Sequence, residues 1–568
     1  MSETELPASA EARRPTPFPR LPDSPIIQAI VLGAFAGALF FFHLGTYGLW
    51  EPDESRYAEI AREMFLSGNL IVPHLNYVAY IEKPPLLYWL GALWMALFGV
   101  NEFAARFTSA LAALSGVIAT WFFARRTLGS ARGLLAGAIL ATSALYAEMA
   151  QALTTDMLLT ALVTIALFAF FLHWREGGRW CWTAYLATAL GVLAKGPVAV
   201  AIPVLAMAAF LWWEGELRGA IARFHAIAGA VIVVAIAAPW FIAISLREPG
   251  FVDFYFIGEH IRRFFQSSYS HGGPAYYYVP VILGGMLPWT LFAPFISWRE
   301  IVRTASGRFC CIGSIVIVAL FSAASAKLIP YVLPAFPLFA VVIADGVATR
   351  VRQIRADTAG APGGFAAAAA VLAILGAGAL GAALLAAHLR TPYAIFGRRA
   401  IGAIGIVGMI GGITASALFI RRRIEAAFAV VIAATALALI AGSYVRLELE
   451  PLRSYADLAH AIADKAPPDA RIVCYPRYVQ ALPFYTGRRI ILVGPPTELA
   501  FGAAHAPDAG QYFFHSLADA MRLWNAPGPV VLVIDVWDLD RLRGSLGDFT
   551  VIGSEWQKRA VLKNREPR

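Results

Sequence analysis

Charge is scarce in this sequence. Of 568 residues only 15% are charged, against about 25% in ordinary soluble proteins, and 59% are hydrophobic against about 45–50%. That imbalance excludes a soluble enzyme. Cysteine is scarcer still: Cys181, Cys310, Cys311 and Cys474 are too few and too scattered for a disulfide framework and read as structural residues. The common short signatures of chemistry are missing as well, since no Walker loop, Gly-x-Ser-x-Gly, His-Glu-x-x-His or Cys-x-x-Cys occurs.

What is abundant is apolar sequence in blocks of about 20 residues, the length a helix needs to cross about 30 Å of hydrocarbon. The mean hydropathy is +0.64. Runs near 26–47, 104–124, 133–151, 157–173, 181–194, 196–213, 225–246, 277–297, 310–326, 328–348, 364–387, 401–420 and 426–445 predict a polytopic α-helical membrane protein of about thirteen transmembrane helices. A shorter run, Pro85–Val100, sits between prolines and Asn101-Glu102. The arginines decide its placement: if it does not span, the clusters at 125–132, 175–179, 218–223, 299–308, 350–355 and 421–423 all fall on the side of the basic N-terminal tail, 1–25, which the positive-inside bias makes cytoplasmic. Arg390, Arg398 and Arg399 are the exception. Pro85–Val100 is therefore a juxtamembrane or re-entrant segment. The first apolar block has no small-residue cleavage site after it and reads as a retained anchor. The net charge of +9 then records topology and gives no reason to expect nucleic acid.

This leaves a membrane domain, 26–446, with two long outer loops, 48–103 and 247–276, and a C-terminal outer domain, 447–568. In the tail, strand-length runs (Arg471–Tyr475, Arg489–Val493, Val530–Asp535) alternate with helical stretches (Tyr455–Ala466, Ser516–Trp524), the pattern of a small α/β domain. The Gly/Ala-rich stretches at 359–386 and 402–415 predict closely packed helices.

The outer loops hold the chemistry-bearing residues. Trp50-Glu51-Pro52-Asp53-Glu54-Ser55-Arg56-Tyr57 follows the first span, and apolar Tyr57, Ile60, Ala61 and Met64 alternate with Arg56, Glu59 and Glu63 as in a helix lying on the membrane surface. Asp53 reads equally as a helix cap or as a catalytic carboxylate. Asp156, in a short outer turn, is brought to the same face. Two acids at the outer mouth of neighbouring spans favour function, because charge near lipid is expensive. Glu82 and Lys83 are held at the interface by Pro84 and Pro85, where Lys83 suits a lipid phosphate or merely snorkels. The other long loop offers His260, Arg262, Arg263 and His271, followed by Tyr276, Tyr277 and Tyr278, which read as part of an aromatic belt. Lys195, and Lys327 with Tyr331, reach the outer ends of spans, against the usual charge bias, and point to an anionic partner. Glu82 and His260 could ligate a divalent ion, but their spacing favours salt bridges over metal.

Taken in order, Trp50–Met64, Ile71–Pro84, Arg247–Phe264, Tyr276–Trp289 and Ser325–Pro337 resemble the bacterial aminoarabinose transferases, polytopic lipid-linked-sugar glycosyltransferases of the GT-C class related to protein O-mannosyltransferases. The resemblance implies transfer of 4-amino-4-deoxy-L-arabinose from undecaprenyl phosphate to lipid A phosphate at the periplasmic face of the bacterial inner membrane. A monomer is expected, with no cofactor required and a divalent metal left open. The resemblance implies Asp53 and Asp156 as catalytic acids, and Glu82 at the same face is a third candidate. It assigns the lipid-phosphate contacts to Arg56, Lys83 and Arg262 or Arg263; Tyr57, Lys195, Lys327 and Tyr331 join them as substrate-binding candidates from their place at the same outer face. A polyprenyl phosphate leaving group gains negative charge as the glycosidic bond breaks, so preorganised cations stabilise the transition state. A flippase or transporter is the alternative of a different class, but the charges gather at one face and no repeated halves are seen. A receptor or scaffold leaves the loop carboxylates unexplained.

Overall fold

Ser24 accepts a hydrogen bond from the Ile27 N–H and Pro25 opens the first helix, α1 (Pro25–Phe41), so the chain enters the helical domain at a well-capped start. The computed structural model describes residues 23–262, 273–358, 360–386, 388 and 396–563; the tail to residue 22, Arg263 and His271 lie outside them. Helix follows helix: α2 (Asp53–Ser67), α3 (Leu86–Phe98), α4 (Glu102–Leu128), α5 (Ser130–Ala141), α6 (Ala144–Ala150), α7 (Thr155–Glu176), α8 (Trp180–Lys195) and α9 (Val198–Trp213). The long helices α10 (Ala226–Arg247), α11 (Ala305–Ala323), α12 (Phe336–Arg355), α13 (Gly363–Ala386), α14 (Arg398–Ile420) and α15 (Ile424–Arg453) complete a multi-pass membrane domain.

Each of the thirteen apolar runs carries helix. Among the described residues eight helices are long and apolar enough to cross a membrane by themselves, or ten if two bent pairs, 130–150 (67°) and 275–295 (102°), each make one span. A count of thirteen needs α1, α8 and α9 as well, and these have 17, 16 and 16 residues. At 1.5 Å per residue they rise about 25 Å. Helix α3, with 13 residues, rises only about 20 Å, too short to cross, and packs along α2 and α4.

The arginine clusters meet acids at one end of the helices: Arg126 with Glu176 (2.8 Å), Arg132 with Asp345 (2.8 Å), Arg308 with Glu214 (2.5 Å) and Arg355 with Glu425. Arg125 donates to the Asp23 carbonyl, which puts the start of α1 at that same end. The glycine-rich pair behaves as its composition predicts. A Cβ on Gly405 of α14 would lie 2.5 Å from the backbone nitrogen of Leu380 in α13, so only glycine permits this approach.

The C-terminal domain is a six-stranded sheet in the order β5-β4-β3-β6-β8-β7, built from β3 (Arg471–Tyr475), β4 (Ile491–Val493), β5 (Phe513–Phe514), β6 (Val530–Asp535), β7 (Phe549–Glu555) and β8 (Lys558–Lys563). The first four of these strands in sheet order are parallel and fully or largely buried, while β7 and β8 form an antiparallel edge hairpin. The boundary with the membrane domain falls later than composition places it. Helix α15 continues to Arg453, because the polar residues that end its apolar run are used in packing: Arg446 pairs with Glu148, and Glu450 accepts the Gly48 N–H at 2.5 Å.

The sheet domain docks on the first long loop. Asn76, in the two-stranded hairpin β1 (His74–Leu75) and β2 (Val78–Ala79), exchanges two hydrogen bonds with the Ile490 backbone (2.9 and 2.8 Å). Tyr485 receives the Leu49 N–H and donates to Glu102, each at 2.9 Å. This docking corrects the expectation for α2. Glu54, Glu59, Arg62 and Glu63 are buried along with Tyr57, Ile60 and Met64, so α2 is enclosed on nearly all sides and is not a helix resting on a membrane surface. Its polar face is satisfied internally. Arg62 grips Glu59 with two bonds (2.6 and 2.7 Å), and Glu63 accepts the Tyr77 N–H. Burial, followed by the neighbouring Glu59 charge, holds the Glu63 carboxyl well above its usual pKa.

Candidate active site

One end of the helical domain, opposite the arginine clusters, carries the acids. Asp53 is the first residue of α2 and makes no capping bond; its side chain, 55% exposed, pairs with Arg56 one turn on. Asp156 lies in the first turn of α7, again with no capping bond, and pairs with Lys195 at the end of α8. Neither acid is a helix cap.

A cavity of about 280 Å³ joins five of the sequence-predicted residues: Glu82, Lys83, Asp156, Lys195 and Tyr331 line it. Its remaining wall is apolar, from Leu159, Val198, Ala201, Leu320 and Phe321. Charged and apolar side chains thus line the same cavity. Lys195 Nζ also lies 4.7 Å from the centre of the Tyr331 ring. Glu82 accepts a hydrogen bond from the Tyr80 hydroxyl (2.9 Å).

Arg56 and Tyr57 stand beside this cavity. Burial works against the Arg56 charge, but the Tyr80 and Tyr57 phenols and the Asp53 and Glu82 carboxylates outweigh it and hold its pKa above the usual value. Arg56 Nε is enclosed and has no hydrogen-bond partner among the described residues, leaving a directed donor for a ligand. Tyr57 is raised in pKa by burial, opposed by Arg56 and reinforced by Asp53, Glu82 and Asp156, so it stays a neutral phenol. Tyr57 and Tyr88 lie with ring centres 6.1 Å apart, and Tyr88 is fully buried.

Lys327 does not line the cavity. It is buried, and its Nζ donates to the Ala324 carbonyl at 2.6 Å, the economical way to satisfy a lysine so enclosed. The belt reading of the tyrosines fails for Tyr278, which is fully buried with its hydroxyl unpartnered among the described residues, whereas Tyr276 is exposed. The backbone of His260 and Arg262 forms part of a π-helix, Asp253–Arg262; their side chains, like the whole of Arg263, fall outside the described residues. Among the described residues no group of three or more His, Cys, Asp or Glu comes together as a metal site would need.

A second layer holds the acids in place, and sequence reasoning did not find it. Arg106 of α4, fully buried, donates to both Glu54 oxygens (2.9 and 2.7 Å) and to the carbonyls of Leu44, Tyr47 and Gly48. Glu54 in turn accepts the N–H groups of Trp50 and Leu153, both at 2.9 Å. The pair thus ties the residue next to Asp53 to the turn that carries Asp156. The signal was present: an arginine inside an apolar run is expensive unless it has a purpose.

Two family models match the chain: dolichyl-phosphate-mannose-protein mannosyltransferase over residues 82–242, and the aminoarabinose transferase C-terminal domain over residues 458–563. The crystal structure of ArnT from Cupriavidus metallidurans bound to undecaprenyl phosphate superposes with a TM-score of 0.84 at 26% identity, covering 95% of this chain and 99% of that one. The chain is similar to the aminoarabinose transferases in fold and in its C-terminal domain. Curated aminoarabinose transferases are similar in sequence too. The undecaprenyl phosphate-alpha-4-amino-4-deoxy-L-arabinose arabinosyl transferase of Erwinia tasmaniensis is 32% identical over 326 residues, 56% of this chain and 58% of that protein. Transferase 1 of Pseudomonas fluorescens is 34% identical over 331 residues, 57% of this chain and 60% of that protein. The aligned stretch thus spans a little under two thirds of these relatives' length. An archaeal oligosaccharyltransferase from Archaeoglobus fulgidus, at 11% identity and a TM-score of 0.51, shares the fold alone.

Proposed function

We propose that this protein is an inverting glycosyltransferase that moves 4-amino-4-deoxy-L-arabinose from undecaprenyl phosphate to a lipid A phosphate, at the periplasmic face of a bacterial inner membrane, with its N-terminus cytoplasmic. The observation that carries the reading is the cavity: Glu82, Lys83, Asp156, Lys195 and Tyr331 at its head and an apolar wall below them. A polyprenyl phosphate fits that division of polarity, with the phosphate toward Lys83 and Lys195, the chain along Leu159 and Phe321, and the sugar toward Asp53 and Arg56. Arg262 and Arg263 are the further phosphate contacts that the family resemblance suggests.

Each residue has a distinct part. Lys83, Lys195 and Arg56 offset the charge that develops on the departing phosphate. Asp156 holds Lys195 at the cavity rim. Asp53 orients the acceptor or meets the cationic amine of the sugar, because an acceptor phosphate is already anionic at neutral pH and needs little help from a base. Tyr57, neutral, packs beside the reacting centre. Tyr331 keeps the Lys195 ammonium in place. A single displacement without an enzyme nucleophile inverts the anomeric carbon. The positive charge comes from side chains, so the reaction written this way uses no metal, and transfer should survive a chelator.

Mass spectrometry of lipid A from cells with and without the protein tests the reading: a mass increment of one aminoarabinose is expected. An unmodified lipid A, or an increment of another sugar, would overturn it, and a hexose found on protein would point instead to O-mannosyl transfer. Recovery of a covalent glycosyl-enzyme would exclude the single displacement.

A further inference from the structure

At the arginine end of the helical domain, opposite the acids, lies a separate cavity of about 530 Å³, within the size range of ligand pockets. The transfer reaction proposed above leaves it unused. Residues 294–300, which follow the bent pair 275–295, form one side of it; the last turns of α12 and the start of α13 form the others. These walls are held by contacts of their own. Ser297 Oγ donates to Gln353 Oε1 at 2.7 Å, which ties residues 294–300 to α12, and the Trp298 indole donates to the Ala293 carbonyl at 3.0 Å. Gly364 brings α13 so near the Phe295 ring that a Cβ there would lie 2.5 Å from it.

The cavity joins two kinds of surface. Phe295, Ile296, Ile354 and Phe365 give it apolar walls. Phe295 and Trp298 are also exposed, as aromatic residues at a lipid–water boundary are, and only 28% of the apolar stretch of α13 is buried inside the protein. The rim is cationic. Arg299, Arg350 and Glu300 are its charged lining residues, and Glu300 is engaged by Arg303 at 2.5 Å. Other ion pairs at this end, such as Arg126 with Glu176 and Arg308 with Glu214, match one arginine to one acid, and the positive-inside bias accounts for them. Here two arginines share a cavity whose single carboxylate is taken by a third.

A guanidinium can hold two phosphate oxygens at once, and basic pockets between helices at a membrane surface suit anionic headgroups. The Gln353 amide nitrogen and the Ser297 oxygen add neutral partners for headgroup hydroxyls. A zwitterionic headgroup fits less well, because its ammonium meets two arginines and an acid already engaged. We propose that this cavity binds the phosphodiester headgroup of an anionic phospholipid of the phosphatidylglycerol class, with Arg299 and Arg350 on the phosphate and the acyl chains descending beside Phe295 and α13. The lipid comes from the leaflet at the arginine end, which is the cytoplasmic one in the orientation proposed above. Helix α12 follows the segment that carries Tyr331 and ends beside this cavity, so the headgroup secures the far end of that helix.

Native mass spectrometry and thermal melting of the full chain in detergent, with phosphatidylglycerol, phosphatidylethanolamine or inorganic phosphate added, test the site in either orientation. Wild type should retain phosphatidylglycerol and melt higher with it, and neither phosphatidylethanolamine nor inorganic phosphate at equal concentration should do the same. Arg299→Gln/Arg350→Gln should need about tenfold or more phosphatidylglycerol for the same rise. Arg299→Gln alone, at an exposed position, should move in the same direction and serves if the double variant does not fold. Arg175→Gln/Arg179→Gln, exposed arginines outside the cavity, should respond as wild type does. Equal retention of the two phospholipids would overturn the proposal, as would an unchanged response in the cavity variants. An equal loss in the Arg175 and Arg179 variant would reduce the effect to general surface charge and overturn it too. Displacement of the lipid by millimolar phosphate would make this a site for a free anion and refute the lipid assignment.

Discussion

Replacing Arg106 by methionine should show whether the buried ion pair with Glu54 is what holds the two acids in register. The substitution leaves the Glu54 carboxylate enclosed without its cation and strips donors from the carbonyls of Leu44, Tyr47 and Gly48. Breaking a buried pair from one side costs about 3–5 kcal/mol. At about 2.1 cal/mol/K of unfolding entropy per residue, that lowers the melting midpoint of a chain this long by about 3–4 °C. The pH dependence carries more information. In the native protein burial pushes the Glu54 pKa up, but the Arg106 charge and hydrogen bond and the Leu153 and Trp50 N–H groups outweigh it, so the value is depressed. A depressed carboxyl contributes stability that is present above its unfolded pKa and lost as pH falls through the folded one. Without Arg106, burial dominates and the pKa rises, so protonation relieves the variant as pH falls. The midpoint gap between wild type and variant, followed by thermal melting in detergent, should therefore narrow from about pH 7.5 to about pH 5.5. The double variant Glu54→Met/Arg106→Met should recover much of the stability. It should not recover turnover, because the Trp50 and Leu153 N–H groups have then lost the acceptor that joins the two loops. A gap independent of pH, or a double variant with normal turnover, would refute this account of the pair.

The other expectations concern single residues. Asp53→Asn should abolish sugar transfer in a reconstituted assay while undecaprenyl phosphate still binds, and wild-type turnover would remove Asp53 from the mechanism. Lys83→Ala should weaken donor binding about tenfold or more, the loss of one charge-assisted contact, as read by titration with undecaprenyl phosphate. Asp156→Asn should lower kcat but be partly rescued in Asp156→Glu, because the pairing with Lys195 needs the carboxylate charge and not a particular reach; equal activity of Asn and Glu variants would argue against that role. Glu51 accepts the Gln480 and Ala481 N–H groups (3.2 and 2.6 Å), and burial pushes its carboxyl up to about 7. A raised carboxyl contributes stability below its unfolded pKa and loses it as pH rises through the folded value, so hydrogen exchange in residues 478–486, corrected for the intrinsic acceleration of amide exchange with pH, should quicken between about pH 5 and about pH 8. Glu51→Gln should flatten that profile.

Much of this molecule could be read along the chain where the physics is local. Two strands, Arg471–Tyr475 and Val530–Asp535, have the bounds that their apolar runs suggest, because they are central in the sheet and buried on both faces. Strands β7 and β8 were missed because their charged residues suit an edge hairpin and hide the alternation. Glu82, Lys83, Asp156, Lys195 and Tyr331 line one cavity, and the first four stand out in the sequence because charge at the mouth of an apolar span is conspicuous. Lys327 shares that appearance and proved to be satisfied by its own backbone neighbourhood. The clamp of Glu54 and Arg106, the enclosure of α2 and the burial of Tyr278 were not legible. Each depends on partners distant along the chain, and in a one-dimensional reading a buried polar residue looks the same as an exposed one.

The bonds between Asn76 and the Ile490 backbone join residues 414 positions apart. At a synthesis rate of about 5–20 residues per second, the loop bearing Asp53 therefore waits about 20–80 s after it is made for the strand that covers it. Through that interval the carboxylates on the polar face of α2 have no tail to enclose them, and the cavity lined by Glu82, Asp156 and Lys195 stands beside a helix that is not yet fixed. The last fifth of the chain acts as a timer on α2: the helix that begins at Asp53 is enclosed only when translation is nearly finished.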